Sequence, residues 1–346
     1  MRKILLKKES ENYKYYKVNL HCHTVISDGC KTPEQIKADY KARGYGAVAF
    51  TDHDIFLTHN DLTDENFVAL NGYEMEVNEP GKTDFKDVRT CHMCFVAKDP
   101  SITKTACYCS CYFFANAPKY AELTDFDPEI PPFYREYTPE KINEMFEIGK
   151  NSGFFCTYNH PEWSREGYNE YSQYNGMNAM EICNFSCTTG GEDRDNGAQY
   201  NELLRLGNRI FCVAADDNHN VHPDDNPMCD SYGGYVKVGA EALNYESIIN
   251  GLTNGAFYSV ASSSFEEGPE FKEISVEDNT LTVVTSDVKG IYYISDSRSN
   301  QGVQAGASGH INSADFYVRS DEKWFRLVIE DSHGHRAFTN AFFIND

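Results

Sequence analysis

The chain has 346 residues and carries 31 basic against 53 acidic side chains, a formal charge of −22. Such a field repels polyanions, so non-specific binding to long nucleic acid or to an anionic membrane is disfavoured and none is expected, and a small anion would need a local source of positive charge such as bound metal ions. With 40% hydrophobic and 14% aromatic residues the chain reads as globular, one large unit with a smaller appendage.

The opening stretch "MRKILLKKESENYKYYK" has only a three-residue apolar run, too short for a signal-peptide core, and no later segment approaches a membrane span. A cytoplasmic location is therefore expected, and with it twelve reduced cysteines. All of them lie between Cys22 and Cys229, which marks a composition boundary before the carboxy-terminal part.

A strand ending in "VNLHCHT" leads to "TPEQIKADYKARG", where Thr32 can cap a helix, Pro33 suits its first position, Gln35 completes a capping box and Gly44 suits the stop. The apolar "AVAF" (47–50) follows and runs into "TDHD". Strand, helix and strand make a parallel crossover, whose two strands end at the same sheet edge, the edge where ligands bind in such folds. His21 and His23 should therefore approach His53.

The pattern recurs: "FVALNGYEME" ends in Glu74 and Glu76, "FFCTYNHP" in His160, "AMEICN" in Asn184, and "IFCVAADDNH" in Asp217 and His219. Between them "TPEKINEMFEIGKNSG", "NGAQYNELLRLG" and "NYESIINGLTNG" read as helices. Residues 99–137, aromatic and proline-bearing without clear period, read as an insertion: a lid, a binding segment or a partner surface. From about residue 265 short alternating strands separated by polar turns read as an antiparallel sandwich. The expected division is 1–262 and 265–346.

In a strand His21 and His23 project to one side and Cys22 to the other. A lone H-x-H is ordinary on an exposed strand. Here six histidines, His21, His23, His53, His92, His160 and His219, fall at or near strand ends beside Asp or Glu, which independent histidines would not do. Cys91 with Cys94, and the alternating Cys107, Cys109 and Cys111, lack a second pair at finger-like spacing and read as free thiols rather than a zinc site. His59, His222, His310, His333 and His335 read as surface or loop residues.

The ordered stretches "LHCHTVISDG", "TPEQIKADYKARGYGAVAFTDHD", "GYEME", "CHMCF", "YNHP" and "AADDNH" resemble the polymerase and histidinol phosphatase (PHP) family of metal-dependent phosphoesterases, over residues 18 to about 260. The chain departs from the family at Asn19, where Asp is common, and in the insertion after His92. The resemblance implies an α/β fold, a distorted (β/α)7 barrel followed here by the small all-β sandwich, with two or three divalent ions of Mn, Fe or Zn at the strand ends. Carried over by position, His21, His23, Glu74 and Asp217 would hold one ion, Glu74 would bridge to a second held by His92 and His160, and Asp28, His53 and His219 would hold a third. The implied nucleophile is water activated by these ions, with Asp52, Asp54 and Asp216 orienting imidazoles from behind.

Arg165 and Arg194 each follow a site-edge strand and are the candidate cations for phosphate; the alternative is an exposed arginine in an acidic loop. Trp163 either packs or walls the pocket for a base or sugar. The expected function is hydrolysis of a small anionic phosphate ester, such as a nucleotide or a short oligonucleotide end. Two alternatives are a histidinol-phosphatase-like phosphatase and a non-catalytic, metal-stabilised binding or assembly protein working through its β domain.

Overall fold

The computed structural model describes residues 2–82, 84–307 and 309–344. Strands β1 (Lys3–Leu6) and β2 (Lys14–Asn19) precede helix α1 (Pro33–Ala42), which starts as expected: Thr32 Oγ1 accepts from Gln35 N at 3.3 Å and Gln35 Oε1 accepts from Thr32 N at 2.9 Å. Gly44, at φ +78°, ends it in the left-handed region that glycine enters without steric cost. Strand β3 (Tyr45–Phe50) pairs parallel to β2, and β4 (Val68–Asn78) parallel to β3.

The next two pairings reverse. Strand β5 (Thr90–Ala97) is antiparallel to β4, and β6 (Phe154–Tyr158) antiparallel to β5, after which β7 (Ala179–Asn184) and β8 (Phe211–Ala215) resume the parallel order. Because β5 runs backwards, its first residues lie where its neighbours end, which sets His92 opposite Glu76. Helix α2 (Pro139–Asn151), capped by Thr138, buries Ile142, Met145 and Phe146 on one face. The short α3 (Tyr168–Tyr171) and α4 (Phe185–Thr189) precede α5 (Gly197–Arg205), and α6 (Tyr245–Thr253) joins strands β9 (Gly234–Ala240) and β10 (Phe257–Ala261). Val18, Ala49, Leu70, Phe155, Val213 and Val236 share one buried core with Ile248 and Leu252 of α6, so the sheet from β2 to β9 curls around it.

This is a mixed α/β sheet. The distorted (β/α)7 barrel that the resemblance implies is not seen as a closed ring of ladders: two antiparallel steps interrupt the parallel order, and among the described residues no ladder joins β8 to β9. Strands β8 and β9 approach each other without pairing, and β10 also reaches β8, Ser259 Oγ donating to Cys212 O at 2.7 Å.

Eight strands complete the chain: β11 (Phe271–Glu277), β12 (Thr280–Val288), β13 (Gly290–Ser295), β14 (Gln301–Gln304), β15 (Ile311–Tyr317), β16 (Trp324–Glu330), β17 (Arg336–Thr339) and β18 (Phe342–Phe343). One antiparallel sheet runs β1-β11-β12-β15. Its Ile274, Leu281, Val283 and Phe316 pack in one core with Ile291, Tyr293, Phe325 and Leu327 of β13 and β16. The amino-terminal β1 thus joins the sandwich, and the second layer continues through the β17–β10 ladder into the α/β sheet.

Within the insertion Cys109 and Cys111 form a disulfide, which corrects the expectation of twelve free thiols; the other ten are free. Cys109 stands at the start of a single 3-10 turn, Ser110–Tyr112, that carries Cys111, and the two Cα atoms lie 5.2 Å apart, within disulfide reach. Cys91 and Cys94, three apart on β5, point to opposite faces and make no metal pair. No helix among the described residues is long and apolar enough to cross a membrane.

Gly234 makes the approach of β9 to β8 possible, because a Cβ there would collide with the carbonyl of Ala215. Gly234→Ala should lower stability by about 3 kcal/mol, the cost of overpacking against backbone that cannot yield; a urea midpoint equal to wild type would show that the strands do not meet this closely.

Candidate metal centre

The chain stays extended past β2, and Cys22 bridges to Asn218 beside β8. His21 and His23 therefore share one side, ring centroids 5.0 Å apart, while the Cys22 sulfur turns away to Asn218 Nδ2. The middle of β4 supplies Glu74, buried to 1% exposure. Its Oε2 lies 3.2 Å from His21 Nε2, 3.3 Å from His23 Nε2 and 3.3 Å from His53 Nδ1. Its Oε1 lies 3.2 Å from His92 Nδ1 and 3.4 Å from His160 Nε2. Asp217 Oδ1 sits 3.1 Å from His21 Nε2 and 2.9 Å from His23 Nε2, and Asp28 faces His23, His53 and His219 at 3.7, 3.8 and 3.4 Å.

The structure brings all nine expected ligands together, in overlapping groups: His21, His23, Glu74 and Asp217; His23, Asp28, His53 and His219; His53, Glu74 and His92; and His21, His160 and Glu181. The grouping differs from the expected one in two places. His53 also reaches toward Glu74 and His92, and His160, beside His92 and Glu74 as expected, also groups with His21 and Glu181. Glu181, inside "AMEICN", was missed because nothing in a buried apolar strand marks one carboxylate as facing inward. It accepts from His21 Nδ1 at 2.8 Å and from His160 N at 3.0 Å.

Several observations fit this set to metal ions. Among the described residues eleven buried side-chain polar atoms have no hydrogen-bond partner, and four of them belong to expected ligands: His23 Nδ1, Glu74 Oε2, His92 Nε2 and Asp217 Oδ1. His21 Nδ1–H donates to Glu181, and His219 Nδ1–H donates to Asp217 O at 3.0 Å, so both leave the Nε2 lone pair facing the cluster. Burial disfavours charge on His23 and His92, yet Asp217 and Glu74 beside the first, and Glu74 and Glu76 beside the second, push both up to about 10. Burial would raise Glu74 and Asp217, yet the imidazoles around them hold both well below the usual carboxylate range. Burial and neighbouring His23 drive His53 down to about 3. Without cations the cluster is neutralised by protons on imidazoles, and metal binding would displace them. His160 and Asp217 hold positive φ, 23° and 54°, in the sparsely populated region that clusters at functional sites.

The flanking carboxylates do something other than orient imidazoles. Asp52 accepts from Thr24 N, Thr24 Oγ1, Ser27 N and Ser27 Oγ, pinning the loop that carries Asp28. Asp216 accepts from Tyr40 of α1 and from the backbone of Tyr232 and Gly234, tying helix and β9 to the end of β8. Asp54 takes Arg135 of the insertion at 2.6 Å. Asp52 and Asp216 anchor backbone and Asp54 anchors a side chain of the insertion, which an Asp next to a ligand in sequence does not reveal.

The centre opens into a cavity of about 490 Å3 lined by His53, His92, Trp163, Arg165, Lys82 and Lys86, with Phe114 of the insertion 5.5 Å from the His53 ring. Trp163 stacks edge-on to His92 and His160, at 5.3 and 5.0 Å, and so walls the pocket. Arg165 is at this rim, exposed and paired with Glu192 at 3.2 Å. Arg194 is not: it lines a separate cavity of about 210 Å3 with His333, His335 and Arg336, because its loop turns toward the β16–β17 connection.

No protein-family model and no curated protein sequence matches the chain. Among solved structures it is similar to a two-domain protein from Bacteroides vulgatus containing a predicted PHP-like metal-dependent phosphoesterase, with 14% identity, a TM-score of 0.46, and 98% of this chain and 99% of that chain covered. It is also similar to a Bifidobacterium adolescentis protein provisionally described as a metal-dependent phosphoesterase, with 17% identity, a TM-score of 0.37, and 59% of this chain and 87% of that chain covered. An amidohydrolase from Chromobacterium violaceum, with bound sulfate and no metal, shows 16% identity, a TM-score of 0.36, and coverage of 61% and 93%.

Glu181→Gln removes the carboxylate behind His21 and should weaken metal binding by about 10 to 100-fold. Equilibrium dialysis with manganese checks this, and unchanged affinity would reduce Glu181 to a packing residue.

Proposed function

We propose that the chain is a metal-dependent phosphoesterase of PHP type that hydrolyses a small anionic phosphate ester. The observation that carries this reading is the convergence of nine separated ligand residues on one sheet edge with four of their buried polar atoms left unpartnered. In this reading two or three ions of Mn, Fe or Zn bind there, and the irregular sheet is a distorted form of the family's barrel. Residues 1–262 carry the centre, and 265–346, with β1 added to their sheet, form a supporting β domain.

Bound divalent ions would lower the pKa of water and neutralise phosphate oxygens. His21, His23, Glu74 and Asp217 would hold one ion, and His53, His92, His160, Asp28 and His219, with Glu181 behind, the others. No protein nucleophile is needed. Cys187, which lines the inner cavity, has its thiol pushed far up by burial and is a poor candidate for one. Arg165, Lys82 and Lys86 supply positive charge at the rim of a strongly acidic protein, where they would attract the phosphate and any second anionic group. The aromatic walls Trp163 and Phe114 suit a flat base, which favours a nucleotide or a short oligonucleotide end.

Metal content and hydrolysis of an aryl phosphate and a bis-aryl phosphate test the reading. Wild type should carry two or three ions and turn over one ester; Glu74→Gln should lose at least about 100-fold in kcat/KM, the upper end of the cost of losing a ligand's hydrogen-bond partner. Protein that stays metal-free and inactive after incubation with Mn, Fe and Zn would contradict it. Arg165→Ala should raise KM about tenfold with little change in kcat, as expected for a charge-assisted contact made equally in ground and transition states.

A further inference from the structure

The turn between β16 and β17 carries "DSHGHR", residues 331–336, and its two histidines meet Glu266 from the segment that leaves β10. We propose that Glu266, His333 and His335 form a second divalent-metal site, of zinc type, separate from the metal centre and fastening this turn to that segment.

The three ligand atoms lie within 4.8 Å of one another. Glu266 Oε2 is 2.8 Å from His333 Nδ1 and 3.6 Å from His335 Nε2. Ligand atoms around a tetrahedral zinc at its usual bond lengths stand about 3.3 Å apart, between these two values. Asp331 prepares the histidine pair: its Oδ1 accepts from His333 N at 2.8 Å and His335 N at 2.9 Å, and its Oδ2 accepts from His335 Nδ1 at 3.0 Å. That last bond places the His335 proton on Nδ1, so the Nε2 lone pair faces the Glu266 carboxylate, acceptor against acceptor. A cation between them satisfies both, in the carboxylate-imidazole-metal arrangement that orients ligands in metalloproteins. Gly334, at φ +82°, makes the tight turn that aims both rings the same way.

The surroundings leave Glu266 available. Arg336, next to His335, is held by Glu330 at 2.6 Å and Asp195 at 2.9 Å. Glu266 and His333 are half exposed or more, so an ion can enter from solvent and a fourth position stays open to water. Two imidazole nitrogens and one carboxylate match zinc better than magnesium or calcium, which prefer all-oxygen sites.

The test is zinc bound per full-length chain after equilibrium dialysis against zinc chloride, for wild type, Glu266→Gln and His335→Ala. Both variants should hold one zinc fewer than wild type while hydrolysing the aryl phosphate at the wild-type rate, and the difference does not depend on how many ions the metal centre takes. Asp331→Asn should keep the count at saturating zinc but weaken this site by about 10 to 100-fold. Zinc should also slow amide hydrogen exchange across residues 331–336 in wild type and not in Glu266→Gln, a substitution at an exposed position that leaves the fold intact. Equal zinc counts in all chains, or no slowing in wild type, would overturn the site and leave an ordinary ion pair.

Discussion

One buried carboxylate organises the molecule. Glu74 stands in the middle of β4 at 1% exposure, with the nitrogens of His21, His23 and His53 around one oxygen and those of His92 and His160 around the other. Removing a carboxylate from water is costly unless positive charge surrounds it, so the five imidazoles and Glu74 constrain one another. The segments after β2, β3 and β6, the middle of β4 and the start of β5 must therefore meet at one place. The rest of the fold can be understood as the means of holding them there.

The means are local and separately identifiable. The reversal at β5 brings His92 in from the start of a strand while its partners arrive from strand ends. His160 and Asp217 turn sharply at positive φ, aiming side chains inward where a regular strand would run past. Asp52, Asp54 and Asp216 hold the intervening loops by accepting hydrogen bonds from backbone and side chains, so the ligands rest on fixed supports. The insertion contributes to this shell as well, with Arg135 buried against Asp54 and Phe114 set beside His53.

Much of this was legible in the amino-acid order because it depends on short-range rules. Capping at Thr32 and Thr138, the apolar stripe Ile142, Met145 and Phe146, and the alternation of His21 with His23 each follow from a few neighbouring residues. What was not legible depends on tertiary placement. Glu181 looks like any polar residue in an apolar strand until β7 is set beside His21, and Arg194 follows a site-edge strand yet its loop turns toward the sandwich. The acidic neighbours of the ligands could not be assigned partners from spacing, since their donors come from α1, β9 and residues 24–27. His333 and His335 read as surface residues because Glu266 is 67 positions from His333.

The central claim is that Glu74 and its imidazoles are a metal centre rather than a proton-neutralised buried cluster. Anomalous diffraction from crystals grown with manganese, recorded on both sides of its absorption edge, tests it most directly. The account predicts peaks within bonding distance of Glu74, one shared with His21, His23 and Asp217. A well-ordered structure in which Glu74 contacts only protonated imidazoles, with no anomalous peak near it at millimolar manganese, would contradict it.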